Sequence, residues 1–307
     1  MRLMTAVLLA ALTAPFSASP AQASPNPAPF VYVGNGDIWL ATGTETVRVT
    51  TDGGNVWPRL APNQHEIAYV HEGIVMIADL RGGGSISYRQ VSSGEVAGAP
   101  SWNPRGDYVA YRTGSFTEGH IFLARVHSPL EARPEAPREV TSFRGHAAEL
   151  TADWSPLRFE TAVAWSPDGK SLAMPGGDCL AIYDNCLTIL NLADNSEFVV
   201  AAFGAGSQPL AGFATTPSWS ADSRRLYFTW QRENPGTGVP GPVRSMAFDR
   251  DRRKFWQVGV DGDVMPVPLG GGRFLVTSVI EGRDWVTFLD GSGGPRVGQT
   301  AGTMADA

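Results

Sequence analysis

The chain has 307 residues, room for one large all-β or α/β domain or for two ordinary ones, and 43% of them are apolar, enough for a sizeable core. Its formal charge is −6 and it has no basic block, which excludes the clustered Lys and Arg needed to neutralise nucleic-acid phosphates. With 35 Gly and 23 Pro, the sequence favours many turns over long helices.

Met1-Arg2 is a short basic start, Leu3 to Phe16 is almost wholly apolar, and small residues then lead to Ala21-Gln22-Ala23. This three-part pattern predicts a signal peptide over residues 1–23, cleaved after Ala23. The apolar run is shorter than the roughly 20 residues that span a bilayer. The mature chain is therefore expected outside the cytoplasm, secreted or in the periplasm or cell envelope, without stable membrane insertion. Residues 24–29, Ser-Pro-Asn-Pro-Ala-Pro, read as an extended Pro-rich leader.

From Phe30 onward the chain reads as short strands. Phe30–Val33, Asp37–Leu40 and Val47–Thr50 are the second, third and fourth strands of a unit that lacks its own first strand. A repeat follows, in which a turn leads to an apolar run. Leu60-Ala61-Pro62-Asn63-Gln64 leads to Ile67-Ala68-Tyr69, and Trp102-Asn103-Pro104-Arg105-Gly106 leads to Val109-Ala110-Tyr111. Trp165-Ser166-Pro167-Asp168-Gly169 leads to Leu172-Ala173-Met174, and Trp219-Ser220-Ala221-Asp222-Ser223 leads to Leu226-Tyr227-Phe228. Val267-Pro268-Leu269-Gly270-Gly271 leads to Phe274-Leu275-Val276. Further strands alternate behind each run, such as Ile121–Ala124, Leu187–Leu190 and Ser87–Val91. Six units of about 45 residues, four antiparallel strands each, predict an all-β six-bladed propeller over residues 30–300. Residues 301–307 are expected to form a C-terminal tail.

The Trp-Ser-Pro-Asp-Gly units resemble the TolB-like, WD-repeat-like propeller family. The resemblance covers residues 30–300, is sharpest at Trp102, Trp165 and Trp219, and implies a six-bladed ring that binds other molecules. Full TolB carries a separate α/β domain ahead of its propeller. Here the expectation is the propeller part alone, so the resemblance does not carry over a role in the Tol system.

The repeat-fixed tryptophans read as inter-blade core rather than a ligand cage. Asp168 and Asp222 read as turn residues bonding their own backbone rather than metal ligands. Cys179 and Cys186 have no redox or zinc spacing; in an oxidising compartment they predict a local disulfide across a hairpin of the fourth blade. No His-x-His, His-Glu-x-x-His or Gly-x-Ser-x-Gly occurs, so no cofactor, metal site or catalytic residue is assigned.

The long insertions are 113–119, 144–160, 175–186 and 230–242, all second-to-third-strand or blade-to-blade connections. They therefore rise on one face of blades 3, 4 and 5, where rigid scaffolds carry function. Trp154, Arg158, Tyr183, Trp230 and Arg232 are the candidate anchors, because aromatic and Arg side chains dominate interfaces. The function expected is that of a monomeric, non-catalytic module binding an extracytoplasmic protein, peptide or glycan, and no nucleic acid. The alternative is a propeller enzyme, a sugar lyase or lactonase-like hydrolase with an axial metal site.

Overall fold

A tight turn followed at once by an apolar run forces the chain back on itself as a hairpin. A computed structural model shows that geometry repeated around a ring. It describes residues 28–43, 45–82, 84–92, 98–114, 118–126, 138–144, 162–177, 185–203, 212–234, 237–291 and 293–307, with no helix among them. In the turn of the fourth unit, the Asp168 carboxylate accepts the Ser166 hydroxyl at 2.6 Å and the Lys170 N–H at 3.0 Å. Asp222 accepts Ser220 at 2.5 Å and the Arg224 N–H at 3.1 Å in the same way. The fifth motif residue is left-handed in all five units that carry the motif, with φ of 59° at Gln64, 74° at Gly106, 74° at Gly169, 58° at Ser223 and 61° at Gly271. Glycine recurs there because only it takes that conformation without strain.

The strands form six four-stranded antiparallel sheets. Blade 1 holds β1 (Phe30–Gly34), β2 (Asp37–Thr42) and β3 (Glu45–Arg48); blade 2 holds β4 (Asn55–Leu60), β5 (Glu66–His71), β6 (Ile74–Gly82) and β7 (Ser85–Gln90). Blade 3 holds β8 (Ser101–Trp102), β9 (Tyr108–Gly114), β10 (Glu118–Arg125) and β11 (Arg138–Arg144). Blade 4 holds β12 (Ala164–Trp165), β13 (Ser171–Pro175), β14 (Asn185–Asn191) and β15 (Glu197–Phe203). Blade 5 holds β16 (Gly212–Trp219), β17 (Arg225–Arg232), β18 (Arg244–Asp249) and β19 (Lys254–Val258). Blade 6 holds β20 (Asp263–Gly270), β21 (Arg273–Ile280), β22 (Arg283–Asp290) and β23 (Arg296–Ala301).

The expected tail over 301–307 is corrected by the structure. Thr303–Asp306 is a strand, β24, and it is the innermost strand of blade 1, pairing antiparallel with β1. It supplies the first strand that blade 1 lacks in its own sequence, so chain start and chain end close the ring together. The propeller thus extends from Phe30 through Asp306.

Six buried apolar clusters fill the ring, each centred on one seam between neighbouring blades. A lone four-stranded sheet cannot cover both of its faces, whereas a closed ring covers every face but the rim. Hydrogen bonds stitch the same seams. The Trp102 indole donates to the Arg59 carbonyl at 3.0 Å and the Trp219 indole to the Ala164 carbonyl at 2.9 Å. Both tryptophans are buried, as expected of inter-blade core.

The inner strands share a bulge that the repeat pattern did not reveal. Trp57, Thr216, Met265 and Met304 occupy equivalent places in blades 2, 5, 6 and 1, and all have positive φ, between 50° and 58°. At each, the inner strand uses one more residue than its partner. A β-branched Thr held left-handed is strained, and such residues persist only where their surroundings over-determine them. Residues just past the bulge, Arg59, Pro217-Ser218, Pro266-Val267 and Asp306, line the mouth of the ring.

Blade 1 also contains an acid-sensitive lock. Asp37 is buried, with 4% of its side chain exposed, and it pairs with Arg48 while accepting the Gly53 N–H at 3.0 Å. Burial pushes its carboxyl up, but Arg48, the Gly53 N–H and Thr50 together hold it below the usual carboxylate range. A folded-state value below the unfolded one, about 3.9, means the stabilisation is present above that pH and is lost as pH falls through the lowered folded value. Urea unfolding from pH 6 to 2 should show the wild type losing stability at the acid end. Asp37→Asn should be less stable at pH 6 and show a flatter acid limb; parallel curves would mean that Asp37 does not set this limb.

Candidate functional site

Trp154, Arg158, Tyr183 and Cys179 lie outside the described residues. Trp230 and Arg232 are described, and the structure corrects the bounds of the 230–242 insertion: both residues lie on β17, and the connection begins after Arg232. β17 starts at the short-turn side and ends at the insertion side, so the pair sits at the insertion-side end of blade 5. They face blade 4 across a groove of about 360 Å³ lined by Val200, Ala201, Ala202 and Phe203 of β15 and by Phe228, Met246 and Phe255 of blade 5.

The period of two along β17 puts Leu226, Phe228, Trp230 and Arg232 on one face of the blade. Leu226 and Phe228 are buried against blade 4. Farther along the strand Trp230 is half-buried in the groove, with its ring centroid 6.4 Å from that of Phe203. Gly212 allows the close approach behind this wall: a Cβ there would clash with the Gln231 carbonyl and lie 2.7 Å from the Phe203 ring. The connection after β17 is tied down by a Glu233–Pro240 bridge, by the Gly241 N–H on the Arg232 carbonyl at 2.9 Å, and by Gln231 Nε2 on the Gly241 carbonyl at 2.7 Å. The Arg232 backbone is therefore fixed. Its Nε is buried and has no hydrogen-bond partner, and no ion pair reaches its guanidinium among the described residues.

Cys186 is fully buried in the seam between blades 3 and 4 and is not a free thiol. Asp249, Asp251, Asp261 and Asp263 serve turns and ion pairs: Asp249 accepts the N–H groups of Asp251 and Arg252, and Asp263 binds Ser278 and Arg296. No group of three His, Cys, Asp or Glu able to hold a metal occurs among the described residues.

A larger concavity lies on the opposite, short-turn side. The six innermost strands frame an axial funnel of about 510 Å³, rimmed by Pro62, Pro104, Pro167 and Pro268. Its charged residues are Arg59 and Asp306, each following a bulge. Asp306 Oδ2 accepts the Leu60 N–H at 2.9 Å. Burial pushes the Asp306 carboxyl up, against the opposing pull of Arg59 and the Leu60 N–H, and burial lowers the Arg59 guanidinium. The sequence points to an axial site only as the alternative reading and names neither Arg59 nor Asp306, since residues 301–307 read as a tail. The available signal was the repeat itself: Arg59 stands where Ser101 and Ser218 stand in blades 3 and 5. The groove's Phe203, Phe228 and Phe255 were also missed, since each reads as an ordinary strand residue.

No protein-family model matches the chain, and no curated protein matches it in sequence. Solved structures match in fold. TolB from Acinetobacter baumannii gives a TM-score of 0.65 at 14% identity, covering 91% of this chain and 65% of that one. The chain thus spans about two thirds of that TolB's length, falling just short of it. Putative TolB from Agrobacterium tumefaciens gives 0.59 at 17% identity, covering 91% of each chain. A chain of the nidogen/laminin complex gives 0.54 at 11% identity, covering 91% of this chain and 97% of that one. At these identities the likeness is one of fold: the chain carries a TolB-like six-bladed β-propeller.

Proposed function

We propose that this chain is a non-catalytic, extracytoplasmic binding module that captures a protein, peptide or glycan on the insertion side of blades 3, 4 and 5. The groove between blades 4 and 5 is its core. The observation that supports this reading is the meeting of Trp230 and Arg232 in that apolar groove, with a buried Arg nitrogen left without a partner. Aromatic and Arg anchors in a desolvated setting carry most of the energy of an interface. The apolar lining favours a protein or peptide over a glycan. Trp154, Arg158 and Tyr183 enter as anchors named from the sequence alone, and a Cys179–Cys186 disulfide as a means of reducing the ordering cost of binding. The signal peptide over residues 1–23 delivers the module to its compartment.

Trp230→Ala should abolish or strongly weaken capture of the partner from native cell-envelope or secreted material. Its half-burial adds a moderate stability loss of about 1–3 kcal/mol, the cost of removing part of a packed aromatic. Arg105→Ala and Lys170→Ala, on the short-turn side, should leave capture and melting temperature unchanged. Loss of capture with these two variants and not with Trp230→Ala would move the site to the funnel side.

A further inference from the structure

We infer that the groove selects an extended peptide segment in which a carboxylate side chain is flanked by large apolar ones, with Arg232 receiving the carboxylate. This rests on reading the groove as a protein-binding site and adds the chemistry of the partner.

The physical argument begins with the cost of Arg232 as it stands. A buried guanidinium nitrogen without an acceptor forfeits its hydration and regains nothing. Arg side chains at surfaces usually bury the stem and keep the head in water. Here Nε is buried, beside Trp230 and Phe203. The guanidinium is a planar fork matched to a carboxylate, which it binds through two parallel hydrogen bonds. A carboxylate brought to this position gives Nε its missing acceptor, in surroundings where charge-assisted bonds are strong.

A carboxylate alone leaves the rest of the groove uncovered. Phe255, in the groove wall, is 49% exposed, and the rest of the lining is mostly apolar, so the occupant also brings apolar side chains. Small-molecule pockets run from roughly 300 to 1,000 Å³. At about 360 Å³ the groove suits a short segment rather than a globular face.

A peptide fits better than a fatty acid because one wall of the groove is a strand edge. β15 is the outermost strand of its sheet, and Val200 to Phe203 line the cavity. An edge strand offers main-chain donors and acceptors that an extended peptide can use and a hydrocarbon tail cannot. The chain's net charge of −6 opposes long-range attraction of an acidic partner. Selection therefore arises from local pairing and appears in the dissociation rate rather than in the association rate.

The test is selection of a displayed random heptapeptide library on the folded chain, in parallel for wild type, Arg232→Met, Arg232→Gln and Trp230→Ala. Wild type should enrich peptides with Asp or Glu beside Leu, Ile, Phe or Met. Both Arg232 variants should keep the apolar preference and lose the acidic one. A resynthesised wild-type hit should weaken about tenfold when its acid is changed to the amide, and the two forms should bind Arg232→Met equally, a coupling that a double-mutant cycle isolates. The melting temperature of Arg232→Met should match or exceed that of wild type, since an unpartnered buried polar atom is removed. Apolar enrichment that Trp230→Ala abolishes, with no acidic preference, would overturn this inference and leave the binding groove standing. No peptide sensitive to Trp230→Ala would overturn both. Saturable binding of decanoate that Arg232→Met abolishes, with no peptide enriched, would replace the peptide with a fatty acid.

Discussion

Removing residues 303–307 is expected to lower stability by about 4 kcal/mol and the melting temperature by roughly 10 °C. The segment is five residues long, yet it is the innermost strand of blade 1 and lies against blades 6 and 2 as well. Ala305 is 4% exposed, Met304 packs on two of the seam clusters, and Asp306 accepts the Leu60 N–H. Truncation exposes β1's inner edge, uncovers part of three clusters and leaves a Leu60 donor unpaired, the last alone costing about 1–3 kcal/mol. Calorimetry on full-length and truncated protein measures the difference. A permuted chain with 303–307 fused by a short Gly-rich linker ahead of residue 28 should recover the loss, because Asp306 lies opposite Val31 near the start of β1. A truncated chain that melts within 2 °C of the full one would show that the ring does not depend on this strand.

The strand therefore marks where sequence reading stopped. The alternation and turn chemistry of Trp102–Tyr111, Trp165–Met174 and Trp219–Phe228 announced blades because both are local. The left-handed fifth residue of the turn is visible as Gly106 and Gly169, and the carboxylate that holds it as Asp168 and Asp222. Pairing of Val31 with Asp306 is not local. Thr303–Asp306 has neither the length nor the composition of an independent strand, and its identity as one comes entirely from the partner at the other end of the chain. The inner-strand bulge was hidden for a similar reason. Trp57, Thr216, Met265 and Met304 have no shared side-chain chemistry, so only geometry groups them.

The candidate site was legible to a smaller degree. Reasoning from loop length led to the insertion side of blades 3 to 5, and to Trp230 and Arg232 within it. What gives those two residues a shared setting is a strand period and a groove between blades 4 and 5, with Phe203 and Phe255 arriving from other strands. An Arg in the sequence does not disclose whether its head is hydrated; the buried Nε of Arg232 is a property of packing.

The second large effect concerns two tryptophans at the same repeat position. Trp219→Ala should cost about 3–5 kcal/mol, the usual loss for a buried aromatic once the cavity is counted. Trp219 is 8% exposed, lies in the seam of blades 4 and 5 under the Arg250 guanidinium, and donates to the Ala164 carbonyl. Trp219→Phe should keep most of the packing and lose about 1–2 kcal/mol, the price of that carbonyl left unpaired. Trp165 has the same motif around it but a different account: it is half-buried, and its indole N–H is buried with no partner. Trp165→Phe removes an unsatisfied donor while keeping an aromatic ring in place, so it should be neutral or slightly stabilising. Chemical denaturation of the three variants measures this order directly. If Trp165→Phe loses as much as Trp219→Phe, the Trp165 indole has an acceptor after all, and the seam between blades 3 and 4 is closed in the same way as that between blades 4 and 5.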